Sequence, residues 1–224
     1  MSRLVAAVLV LAIAAAPVRA AQAPTARAAS PAIEVDNAWV KAVRLRMAPR
    51  EKGSIAWHPS SVIVYLTDGD QRRRRSGRAD EVQVHKAGEV AYFDEGPYAL
   101  DNDSETKAEF IFIELKTPAA KDPQPRVTLD PVALDPDHHP VLLDNARVRV
   151  LRTILEPHLK SPMHEHPHYV VVYLTELHTT MRLGDGRLVD NPRRPGEVAW
   201  RGFLKHETEN IGEKTAVEIQ VEIK

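Results

Sequence analysis

The sequence predicts an all-β protein made of two tandem copies of one barrel-like unit. Three observations lead there: an internal repeat at fixed offset, short strand-like segments bounded by turn residues, and no long amphipathic helical pattern. Asp36-Asn37-Ala38 recurs as Asp144-Asn145-Ala146, a shift of 108 positions. Without a gap, the same shift lays His58-Pro59 on His166-Pro167 and Val64-Tyr65-Leu66-Thr67 on Val172-Tyr173-Leu174-Thr175. It also lays Gly88-Glu89-Val90-Ala91 on Gly196-Glu197-Val198-Ala199, Asn102 on Asn210, Glu114 on Glu222 and Lys116 on Lys224. Roughly 25 of about 81 aligned positions match, against about one in twenty by chance for a single offset.

The elements within each copy read as strands. Ala216–Ile223 alternates Val217, Ile219, Val221 and Ile223 with Ala216, Glu218, Gln220 and Glu222, a period of two. Its counterpart, residues 109–115, is richer in apolar residues on both faces, which predicts a more buried strand. Residues 169–175 form a β-branched and aromatic run. Gly184-Asp185-Gly186 marks a tight turn before Arg187-Leu188-Val189, and Pro195-Gly196 marks another before Val198-Ala199-Trp200. Short strands punctuated in this way predict a sandwich or barrel. Two units follow, residues 33–116 and 141–224, joined by a linker over 117–140 that holds six prolines and no apolar periodicity.

Composition limits the chemistry. The chain has 224 residues, 30 Lys plus Arg and 31 Asp plus Glu, for a net charge of -1, so the basic excess of a general nucleic-acid binder is missing. It has no cysteine, which excludes disulfides, thiol nucleophiles and thiolate metal sites, and leaves ten histidines, the carboxylates and the hydroxyls. Residues 1–20 read as a secretory signal peptide. A basic start at Arg3 precedes an apolar run over 4–16, too short to span a bilayer, and small residues Val18 and Ala20 precede the cleavage point. The expected product is exported, periplasmic or secreted, with no stable membrane anchor.

Histidines carry the rest of the argument. The second copy contains Pro162-Met163-His164-Glu165-His166-Pro167-His168, and His206 follows forty residues later. His-x-His on a strand sets both imidazoles on one face, where they can share a divalent metal. His168 has the same parity, although Pro167 interrupts the alternation. Glu165, Glu207 and Glu209 could orient ligands or face solvent. In the first copy the positions matching His164, His166 and His206 are Ala56, His58 and Tyr98, so that unit is expected to be metal-free and His58 a packed remnant. Residues 72–75 with Arg78 read as a solvated basic loop, and His138-His139, in the Pro-rich linker, as exposed.

The pattern resembles the cupin superfamily, and the repeat resembles a bicupin. His164 and His166 match the first cupin motif; Gly196, His206 and Asn210 match the second, with the His-to-Asn spacing intact. Residues 162–175 are similar to small bacterial cupins of the form PMHxHPxxVVVxLT. The resemblance implies two double-stranded β-helix (jelly-roll) barrels that pair within the chain, with one divalent transition metal (Fe, Ni, Mn, Cu or Zn) on His164, His166 and His206. The glutamate that usually lies four residues after the second His is here Val170. By resemblance, a small molecule would meet the metal in the barrel, as substrate of a metal-dependent oxygenase or isomerase. The alternatives are a non-catalytic module that binds a small ligand or the metal itself, and a structural role with vestigial ligands. Fold does not choose among them.

Overall fold

The computed structural model describes residues 31–116 and 125–224. The first nine strands are β1 (Ala32–Asp36), β2 (Val40–Met47), β3 (Ala56–His58), β4 (Ser61–Tyr65), β5 (Gly69–Arg74), β6 (Glu81–His85), β7 (Val90–Phe93), β8 (Gly96–Asn102) and β9 (Ala108–Leu115). A single turn of helix, α1 (Pro131–Leu134), precedes the second set. That set is β10 (Val141–Asp144), β11 (Val148–Leu155), β12 (His164–His166), β13 (Tyr169–Tyr173), β14 (Leu177–Leu183), β15 (Leu188–Arg193), β16 (Val198–Arg201), β17 (Leu204–Asn210) and β18 (Ala216–Ile223).

Each set folds into two antiparallel sheets of identical topology. The five-stranded sheets run β1-β2-β9-β4-β7 and β10-β11-β18-β13-β16; the four-stranded sheets run β3-β8-β5-β6 and β12-β17-β14-β15. The fold is therefore all-β, with two jelly-roll barrels. Both barrels turn into their β7 and β16 strands through glycines at positive φ, Gly88 at 85° and Gly196 at 83°, a conformation that a side chain disfavours.

The five-stranded sheets pack on one another. Val40, Ala42, Val62, Val64, Ile111 and Ile113 of the first barrel form one buried cluster with Val148, Val150, Val170, Val172, Ile219 and Val221 of the second. Contacts across this seam are reciprocal. An Arg44 Nη donates to the Gly196 carbonyl, and the matched residues Arg152 and Gly88 lie against each other in turn. Residue i touching j while the counterpart of j touches that of i is the mark of a twofold relation, here a pseudo-twofold one within a single chain. The same packing fixes which face of β18 is which. Ile219, Val221 and Ile223 turn outward into the inter-barrel core, while Gln220 and Glu222 are buried inside the second barrel. Its apolar stripe is the outer face and its polar stripe the inner one.

Two expectations need correction. Residues 72–74 are not a loop. They lie on β5, where Arg72 pairs with Asp103 and Asp80, Arg73 with Glu81, and Arg74 with Asp101. Cross-strand carboxylates neutralise the run. Nor is the linker's His138-His139 pair exposed as expected, since His139 is buried and the described part of the linker packs on the second barrel. Asp130 caps α1 and pairs with Arg149, and the carboxylate of Glu165 accepts hydrogen bonds from Thr128 N, Thr128 Oγ1 and Leu129 N. The segment seals one side of the second barrel. Residues 1–20, read as a signal peptide, lie outside the described residues.

The inter-barrel core predicts a stability effect. Ile219 is fully buried at the seam. Ile219→Ala should cost about 2–5 kcal/mol of unfolding free energy in urea titrations, as cavity-forming core truncations do. A loss below about 0.5 kcal/mol would show that the seam does not hold the fold.

Candidate metal centre

β12 and β17 are neighbours, and their register places His164 directly opposite His206. Alternation along β12 brings His166 onto the same inner face. The result is three buried imidazoles, His164, His166 and His206, each with one ring nitrogen within 4.8 Å of the others. Ring centroids stand 4.8 Å (His164–His166), 4.5 Å (His164–His206) and 5.5 Å (His166–His206) apart. The structure thus brings together the three residues singled out in the sequence.

The opposite edges of these rings are already occupied. His164 Nδ1 lies 2.7 Å from the Pro162 carbonyl, His166 Nδ1 2.7 Å from Glu222 Oε1, and His206 Nδ1 2.9 Å from Thr208 Oγ1. A ring that donates Nδ1–H to an oxygen carries its lone pair on Nε2, and outer partners of this kind orient metal-binding histidines. Nε2 of both His166 and His206 is buried and has no hydrogen-bond partner. Burial holds all three rings in the neutral state. Desolvation lowers His164 to about 4 and takes His166 and His206 well below the ordinary histidine value. Convergent, neutral, unpartnered donors are what a divalent transition ion requires, so the residues fit such a group.

Glu222 was not singled out as a site residue. Its repeat match with Glu114 was visible, but nothing in the linear pattern showed that the polar stripe of β18 faces inward. Burial raises its carboxyl, and Arg149 opposes that shift by pairing with the other oxygen. His139, expected to be exposed, is only 1% exposed. Its Nδ1 lies 3.0 Å from the Asp135 carbonyl, and its ring packs edge-on against His164 at 5.0 Å. The linker, bonded along the edge strand β12, puts it there.

Other candidates lie elsewhere. His168 is past the end of β12 and packs between Trp39 and Trp200, with ring centroids at 4.7 and 5.7 Å. Glu165 clamps the linker, and Glu207 pairs with Lys160 and Arg182. Asn210 is a loop clamp: its Nδ2 donates to the Leu155 and Lys214 carbonyls, as Asn102 does to Ala48 and Thr106 in the first barrel. Val170 turns into the inter-barrel core, and the inward neighbour on that strand is Val171. The inner face of β13 therefore offers the cluster no carboxylate. In the first barrel, Ala56 pairs with Tyr98 in the same register, and His58 stacks on Tyr98 at 4.4 Å. Ile63, Tyr65, Phe93, Phe110 and Phe112 fill that interior.

Solved structures share this architecture. AerE from Microcystis aeruginosa superposes with a TM-score of 0.62 at 12% identity, over 87% of this chain and 97% of that one. Bacillus subtilis oxalate decarboxylase, described with Mn(II) centres, superposes at 0.58 and 14% identity, over 82% of this chain and 68% of its own. The chain folds as a bicupin. No protein-family model and no curated protein sequence matches it. Identities this low speak for the bicupin fold and not for an activity.

The buried imidazoles give the metal-free protein a pH dependence. Each ring protonates at a lower pH in the folded chain than in the unfolded one, where histidine titrates near 6.5. Above about 6.5 neither state binds the proton. As pH falls from there toward 4, the unfolded chain takes up protons first and stability declines. Urea midpoints of chelator-treated protein should therefore fall between about pH 6.5 and 4, and less steeply in His164→Phe. A flat profile over that window would contradict the neutral cluster.

Proposed function

We propose that the protein binds one divalent transition metal through His164, His166 and His206 of its second barrel and presents it to a small molecule in the barrel interior. The observation that carries this reading is the pair of buried, unpartnered Nε2 atoms on rings whose other edges are anchored. Manganese, iron, nickel, copper and zinc all accept imidazole, and the Mn(II) centres of the oxalate decarboxylase relative support including manganese. When bound, such an ion supplies Lewis acidity and open coordination positions. The chain's own residues do the rest. Glu222, held by Arg149, orients His166; Thr208 and the Pro162 carbonyl orient His206 and His164; the linker with His139 shields the cluster from bulk water. A metal-dependent oxygenase or isomerase is the activity class proposed, on the cupin resemblance. The first barrel, filled with aromatic side chains, serves as the packing partner.

Metal content per chain tests the proposal. Wild type reconstituted with Zn or Mn should carry one ion. His164→Ala, His166→Ala and His206→Ala should lose tight binding, because two imidazoles leave too few protein ligands. Glu222→Gln should weaken binding roughly 10- to 100-fold, the usual effect of removing a partner that orients a ligand. His58→Ala should change nothing. Two ions per chain, or loss of metal with His58→Ala, would overturn the assignment.

Export is also proposed, from the apolar run over residues 4–16 and the small residues Val18 and Ala20. Protein from the extracytoplasmic fraction should begin at or near Ala21; intact Met1 on that material would refute it.

A further inference from the structure

The two barrels share a topology and a register but not an interior. Along the repeat, Leu45, Phe93, Phe110 and Phe112 of the first barrel match Thr153, Arg201, Glu218 and Gln220 of the second. In the first barrel, Phe93, Phe110 and Phe112 are buried in an aromatic cluster with Leu45 packed against it. In the second, all four counterparts line a cavity of about 30 Å³ that His139, His164 and His206 also line. Four positions that are apolar in the first barrel are polar in the barrel that carries the histidines.

Those polar groups are incompletely satisfied by the protein. Gln220, 2% exposed, donates from Nε2 to Glu218 Oε1 at 2.7 Å, but its Oε1 has no partner. Thr153, 5% exposed, has an unpartnered Oγ1. The Arg201 guanidinium touches two neutral oxygens, Tyr173 OH and Asn191 Oδ1, each at 3.3 Å. Among the described residues no carboxylate lies within ion-pair distance of it, whereas Arg182 and Arg187 of the neighbouring hairpin pair with Glu207 and Asp185. Each buried polar atom left without a partner costs about 1–3 kcal/mol, and an interior built for packing alone would retain the phenylalanines. Burial also raises the Glu218 carboxyl, and the Gln220 amide and the Arg201 charge oppose that shift.

Resting on the metal-site reading above, we propose that the second barrel takes a compact hydroxycarboxylate. Its carboxylate sits against Arg201, and its hydroxyl donates to Gln220 Oε1 or Thr153 Oγ1 beside the three histidines. The cavity volume limits the ligand to a few heavy atoms, since a single water needs about 10–15 Å³ on this measure. Arg201 supplies the charge selectivity, and the unpartnered acceptors supply the hydroxyl selectivity.

Calorimetric titration of zinc-loaded protein with glycolate, glycolamide and acetate separates these elements. Wild type should bind glycolate about tenfold or more tightly than either glycolamide or acetate. Arg201→Gln should lose about tenfold on glycolate and leave glycolamide unchanged. Gln220→Leu combined with Thr153→Val should abolish the preference for glycolate over acetate. Equal binding of glycolate and glycolamide by wild type would overturn the proposal, and so would an unchanged glycolate affinity in Arg201→Gln. The wild-type comparison needs no variant, so poor folding of a mutant does not remove the test. Metal analysis of the same samples keeps the two readings apart. One zinc per chain without glycolate preference sinks the ligand proposal alone, and no zinc sinks the metal site.

Discussion

The inner strands β4, β9, β13 and β18 of the two five-stranded sheets are buried on both faces, and this constraint shapes the molecule. One face must pack within its own barrel and the other against the second barrel. β18 meets both demands by alternation, with Ile219 and Val221 at the seam and Gln220 and Glu222 inside. Burial of the outer faces stabilises the pair, at roughly 25 cal/mol per Å² of apolar surface. It also leaves the inner faces free to differ. The first barrel uses that freedom for phenylalanine and tyrosine, the second for histidine, arginine, glutamate and glutamine.

The difference sets an aromatic-filled half beside a histidine-bearing half in one chain. Three neutral imidazoles so close together, two of them with buried, unpartnered Nε2 atoms, are unfavourable in an interior unless something occupies the space between them. The first barrel, packed like an organic solid and sharing a continuous core with the second, supplies stability to offset that cost. The reciprocal Arg44–Gly196 and Arg152–Gly88 contacts keep the halves in register.

Much of this was legible in the sequence. The offset repeat and Gly-bounded short strands announced two β-units, and His164, His166 and His206 were readable because His-x-His on a strand has one geometric outcome. What escaped reading was whatever depends on which face turns inward. Glu222 and Gln220 look like a solvated stripe until the second barrel covers Ile219 and Val221. Val170 took the motif position by count, yet the turn at Pro167 and His168 makes Val171 the inward residue. His139 lay in a proline-rich linker whose packing depends on Glu165 and Arg149, contacts no local pattern encodes. The arginines of β5 looked like a loop because the carboxylates that pair with them come from other strands.

Imidazole coordination in the second barrel is the proposed role of the three buried rings. X-ray absorption at the zinc edge of reconstituted protein measures it directly, because imidazole rings give a distinct multiple-scattering signature. Three imidazole nitrogens at about 2.0–2.1 Å from the zinc, completed by light oxygen donors, are the expected result. A shell of carboxylate oxygens with one imidazole or none would contradict it.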